Sequence, residues 1–107
     1  MVPLSAWELL RWSMKAQYYV YIMANPRRTV LYTGVTHDLA QRVWQHRNVR
    51  SGFAAKYHCS QLVMYEVFQD SYSAIVREKQ IKAGSRRQKV QMIQGMNPTW
   101  RDLYEEL

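Results

Sequence analysis

The stretch YYVYIMANPRRTVLYTG, residues 18–34, limits the fold more than any other part of the chain. Residues 18–23 are all β-branched, aromatic or apolar, the composition of a strand covered on both faces. Residues 30–35 form a second such run, and the connection from Ala24 to Thr29 has the length of a loose hairpin. On alternate faces of a strand, Tyr19, Tyr21 and Met23 point one way, and so do Val30, Tyr32 and Gly34 of the partner. Antiparallel pairing brings the two central phenols, Tyr21 and Tyr32, side by side. Gly34 removes a side chain on that face and leaves room for another backbone to approach. Tyrosine is also a good strand residue whose hydroxyl reaches the surface, so the pair alone does not define a site.

A third strand is predicted over residues 61–68, and helices fill the remaining chain. Thr36 or Asp38 caps a helix running to about Val49, with Leu39 and Val43 as its core stripe. Residues 50–60 read as a loop with one helical turn. Ser71 or Ser73 caps a second helix that stops at Gly84, and Ser85 opens a basic third helix to about Gln94. Asn97 then caps a short last helix with Pro98 in its first turn. Three strands with helices between and after them predict the α+β class. Residues 1–16 stand apart as an N-terminal helical extension, with capping-box spacing from Ser5 to Glu8 and with Trp7, Leu10, Arg11 and Met14 on one face. Met14 is an alternative start for the compact domain of residues 17–107.

Size and composition narrow the possibilities. A chain of 107 residues, 48% apolar, supports one domain with a modest core. The single Cys59 excludes an internal disulfide framework, and no apolar run approaches the roughly 18 residues of a membrane span. These features lead to the expectation of a soluble cytoplasmic protein. The net charge is +7, and ten Lys or Arg face three Asp or Glu between Leu39 and Lys89. A basic middle is the electrostatic footprint of a polyanion, most often nucleic acid; a solvated basic surface is the plainer account.

Five side chains resist a purely structural explanation. Ala74, Ile75 and Ile81 define the apolar face of the second helix, and Glu78 falls in its middle. An unpaired carboxylate there is costly, so Glu78 needs either an ion pair with an arginine or a divalent cation. Arg42 and His46, four residues apart on the first helix, border the Leu39/Val43 stripe and point together toward the sheet edge. Arg42 offers a planar fork to a phosphate, and His46 a hydrogen bond or a proton. Tyr21 and Tyr32 lie within reach of the same edge. The basic residues Lys79, Lys82, Arg86, Arg87 and Lys89 carry no base-reading pattern and suit phosphate contact.

These residues, in this order, resemble the GIY-YIG nuclease superfamily, and specifically its small stand-alone single-domain members. The first motif corresponds to Tyr19-Val20-Tyr21 and the second to Tyr32-Thr33-Gly34. Asp38-Leu39, Gln45-His46-Arg47, Lys56-Tyr57, Arg77 to Lys82, Asn97-Pro98, Trp100 and Asp102-Leu103 then follow in family order. The resemblance covers residues 17–104; Tyr19, Val20 and Thr33 depart from the motif's Gly, Ile and Ile.

The resemblance implies a three-stranded antiparallel sheet flanked by helices, in agreement with the element order above, and hydrolysis of a phosphodiester with one Mg²⁺ or Mn²⁺ ion. It makes Glu78 the protein's metal ligand and gives Arg42 the stabilisation of charge on the phosphoryl oxygens. Tyr21 helps to activate the attacking water, Tyr32 and His46 position water or phosphate, and Asn97 supports the site. Tyrosine is a poor base at neutral pH. A nearby cation, whether the metal, Arg42 or Lys56, is therefore expected to lower the pKa of Tyr21. Gly34, Lys56, Lys79, Lys82, Arg86, Arg87 and Lys89 are the expected nucleic-acid contacts. The expected substrate is DNA, with RNA as the alternative, selected by structure (flap, branch or single strand) rather than by sequence. The expected state is a monomer or weak homodimer. The competing expectation is a nucleic-acid-binding module of the same fold with little or no turnover.

Overall fold

The computed structural model describes residues 17–48, 52 and 56–107. The three strands are β1 (Tyr18–Ala24), β2 (Leu31–Thr36) and β3 (Gln61–Phe68). They form one antiparallel sheet in the order β2-β1-β3. Among the described residues, three helices, α1 (Leu39–Asn48), α2 (Ser71–Ala83) and α3 (Arg86–Met96), and a 3₁₀ helix (Leu103–Glu106) accompany the sheet. The α+β architecture agrees with the sequence prediction. The N-terminal extension of residues 1–16, the end of the first helix at Val49 and residues 50, 51 and 53–55 of the 50–60 loop lie outside the described residues.

The continuous apolar character of β1 follows from its central place, because both of its faces are covered. Val20, Ile22 and Ala24 pack on one face with Val63, Ala74, Ile81, Ile93 and Trp100, under α2 and α3. Tyr21 and Met23 pack on the other with Leu39, Val43, Cys59, Leu62 and Leu103, under α1 and the 3₁₀ helix. The hairpin between β1 and β2 is closed by the Asn25 side chain, which accepts from Thr29 N at 2.8 Å and Val30 N at 2.9 Å. Arg28, at φ 59°, takes the left-handed position of this turn.

Several predicted details change. Asp70, not Ser71 or Ser73, caps α2, because it holds the extended backbone that aims its carboxylate at Ser73 N, 2.7 Å away. Ile75 is 42% exposed; only Ala74, Glu78 and Ile81 on α2 are buried. α3 runs two residues past Gln94, and Asn97 is its C-cap rather than the start of another helix. Pro98 sits in a turn that seats Trp100 in the core at φ 57°. Asp102 caps the final 3₁₀ helix.

The C-terminal segment also covers the outer edge of β3. Asn97 Nδ2 donates to Val63 O at 3.1 Å, Asp102 Oδ1 accepts from Leu62 N at 3.1 Å, and Tyr65 N meets Met96 Sδ at 3.5 Å. Covering that edge removes a template for pairing with another chain. No described helix is long and apolar enough to cross a membrane.

Candidate active site

Tyr21 is fully buried at the centre of β1, directly opposite Gly34 of β2. A Cβ at position 34 would lie 2.5 Å from the Tyr21 hydroxyl and 2.6 Å from the ring carbon bearing it. The space left by glycine is thus filled by the phenol, not by an approaching backbone as the sequence suggested. Tyr32, opposite Met23, comes to the same face; its ring centroid is 6.2 Å from that of Tyr21.

Helix α1 closes over these rings because Leu39 and Val43 are buried against the Tyr21/Met23 face. His46, three positions along from Val43, is half-buried beside them, and Arg42, three along from Leu39, lies at the exposed border of the same face. His46 Nε2 lies 2.8 Å from the Tyr21 hydroxyl, and the imidazole sits edge-on to Tyr32 with centroids 5.0 Å apart. The Arg42 guanidinium is near enough to both phenols for its charge to act on them, and its Nη1 donates to Gln45 Oε1 at 3.1 Å. A cavity of about 290 Å³, walled by Thr36, His37, Asp38, Gln41 and Gln45, opens beside Arg42. Four of the predicted site residues, together with Gly34, therefore converge.

The electrostatics correct one expectation. Burial pushes the Tyr21 phenol up to about 12, and the opposing pull of Arg42 is too weak to offset it. Burial, then the Arg42 charge, lowers the His46 imidazole below its ordinary value, so it is neutral at neutral pH. An un-ionised phenol and a neutral imidazole are matched when the O–H donates to Nε2, which puts the ring proton on Nδ1. Tyr21 therefore keeps its proton at neutral pH and is not a pre-formed phenolate; it donates to His46 in the tautomer that carries the ring proton on Nδ1.

Glu78 comes from α2, which covers the opposite face of the sheet and packs along β1 and β2. It is 8% exposed, and its Oε1 is paired with Lys82 Nζ at 2.7 Å, one turn along, rather than with an arginine. Among the described residues no group of three or more His, Cys, Asp or Glu could hold a metal. That donor set does not suit a transition-metal cage. It does fit Mg²⁺ or Mn²⁺ held by one carboxylate, with water and phosphate oxygens completing the shell.

The remaining candidates divide. Asn97 gives its side chain to structure, donating to Val63 O and Arg101 O and accepting from Arg101 N. Arg86 donates to Thr29 O at 3.1 Å and Arg28 O at 2.6 Å, tying α3 to the β1–β2 turn. Lys56 lies over the Tyr57 ring. Lys79 and Arg87 are exposed, and Lys89 is half-buried. Sequence reasoning missed the ion pair of Arg47 with Asp102, which are 55 residues apart and share no spacing signal.

Three comparisons extend this picture. A family profile described as the GIY-YIG catalytic domain matches residues 17–91. A UPF0213 protein of Staphylococcus saprophyticus is 36% identical over 81 residues, covering 72% of this chain and 94% of its own. A UPF0213 protein of Haloquadratum walsbyi is 37% identical over 83 residues, covering 74% and 89%. The solution NMR structure of a UPF0213 protein from Bacillus halodurans is similar with a TM-score of 0.51 at 26% identity, over 80% of this chain and 92% of the other.

Proposed function

The chain belongs to the GIY-YIG family of catalytic domains, and from that premise we propose that it is a divalent-metal-dependent endonuclease acting on DNA. Membership implies a nuclease with a nucleic-acid substrate. The observation that carries the more specific reading is the Tyr21–His46 hydrogen bond, held over Gly34 and flanked by Arg42 and Tyr32.

Phosphodiester hydrolysis needs a deprotonated water and neutralisation of the charge that develops on the phosphoryl oxygens. Arg42, at the rim of the 290 Å³ cavity, supplies the planar fork for those oxygens. The Tyr21 hydroxyl is closed off from solvent in this structure, so a water admitted to it on substrate binding would pass its proton to that oxygen while the phenol's own proton moves to His46 Nε2. Tyr21 then stays a phenol throughout, so its raised pKa is no obstacle, and the neutral imidazole is the net acceptor. Tyr32, edge-on to His46, orients the pair. Glu78 would hold the divalent ion, whose chemistry is to polarise a phosphoryl oxygen. The basic surface supports affinity without sequence choice, in line with selection by DNA structure.

The Glu78–Lys82 ion pair favours a second reading, a binding module with little turnover. Nicking of supercoiled plasmid with and without Mn²⁺ separates the two. For the enzyme, Tyr21→Phe, Arg42→Ala and Glu78→Gln each lose about a hundredfold or more in rate while remaining folded. Full activity in Arg42→Ala or Glu78→Gln would remove the site assignment. DNA binding by the unaltered protein with no Mn²⁺-dependent cleavage would establish the binding module.

A further inference from the structure

Arg47 follows His46 on α1, and all of its polar contacts leave the helix. Its Nε donates to Ser60 O at 2.8 Å, just before β3, and an Nη donates to Asp102 Oδ2. Its guanidinium also stacks on the Tyr104 ring, 4.3 Å from the centroid. The other Asp102 oxygen accepts from Leu62 N and Tyr104 N, both at 3.1 Å. One ion pair, with each side chain about a quarter exposed, therefore joins the last turn of α1, the start of β3 and the 3₁₀ helix. Such a pair is rigid because both partners are held on every side by further hydrogen bonds.

The clamp acts where the site is most sensitive to position. Leu39 and Val43 anchor the first two turns of α1, whereas His46 lies in the last turn, where helices fray. The 2.8 Å bond to Tyr21 survives only if that turn is fixed. The neighbouring residue, Arg47, fixes it. Asp102 lies beyond the residues 17–91 that match the catalytic-domain profile.

We propose that Arg47 and Asp102 are positioning residues for His46, through which the C-terminal segment 97–104 holds the Tyr21–His46 pair in register. The kinetic part of this proposal rests on the nuclease reading; the structural part does not. Asp102→Asn keeps the acceptor for Leu62 N and Tyr104 N but loses the charge opposite Arg47. It should displace the His46 imidazole NMR signal toward that of a free side chain in the absence of DNA. It should also lower kcat for Mn²⁺-dependent nicking by about tenfold or more while KM stays within about twofold. Arg47→Lys keeps the charge without the fork and should give an intermediate result in both readouts.

Should Asp102→Asn fail to fold, Arg47→Lys and Tyr104→Leu provide the same NMR comparison. A His46 signal unchanged in a folded variant overturns the proposal, as does a loss that falls on KM alone. A wild-type protein without cleavage refutes the nuclease reading instead, and the His46 signal still decides the clamp.

Discussion

At the scale of single residues, the chemistry depends on one missing methyl group and two displaced protons. Gly34→Ala would drive a Cβ into the Tyr21 phenol, 2.5 Å from its oxygen. The ring cannot yield, being closed in by Met23, Val43 and His46 on the same face. The expected cost is about 1–3 kcal/mol of stability, read by urea denaturation, together with loss of the Tyr21–His46 bond and of nicking. Folding raises the Tyr21 phenol from 10.0 to about 12, so the folded state keeps this proton longer than the unfolded chain. That contribution to stability is intact below pH 10 and lost as pH rises through about 12. Ultraviolet titration should therefore show one phenol ionising near pH 12, absent in Tyr21→Phe. His46 has the opposite sign. Its lowered pKa means that the unfolded chain takes up a proton first, so stability and activity should both decline as pH falls below 6.5.

At the scale of elements, the caps decide where helices start, and only some of them can be read locally. Ser85 is one that can. Its Oγ accepts from Gln88 N at 3.1 Å while Gln88 Oε1 accepts from Ser85 N at 2.9 Å, a reciprocal box at the start of α3. Ser85→Ala should lower stability by about 1 kcal/mol in thermal or chemical unfolding and leave nicking unchanged. For α2 the sequence offered Ser71 or Ser73 and passed over Asp70, the acceptor one residue earlier whose extended backbone makes it the cap. Asn97-Pro98 carries the signature of a helix start. It became a helix end because burial of Trp100 turns the chain there. The inward face of α1 was legible, since Leu39, Arg42, Val43 and His46 follow helical spacing directly.

At the scale of the molecule, the net charge of +7 is sequence information, but the use of each cation is not. Arg86 and Arg87 are neighbours in sequence and both are exposed, yet the first is bonded to two carbonyls of the β1–β2 turn. Arg87→Ala should lower the salt slope of DNA binding by about one and leave stability alone. Arg86→Ala should do the reverse, costing about 1 kcal/mol in unfolding with the salt slope unchanged. Affinity measured by fluorescence anisotropy across a salt series distinguishes the two. By itself, the sequence determined the antiparallel β1–β2 hairpin, the α+β class and four of the residues that meet at the site, because periodicity and turn chemistry act over a few residues. The register that sets Tyr21 opposite Gly34 and the pairing of β3 with β1 belong to the tertiary structure. Only the tertiary structure decided that the space over Gly34 belongs to Tyr21, that burial outweighs Arg42 in holding its proton, and that Glu78 pairs with Lys82. The same holds for Asp102, which reaches back 55 residues to Arg47. Desolvation and long-range pairing depend on which surfaces meet, and no local pattern records that.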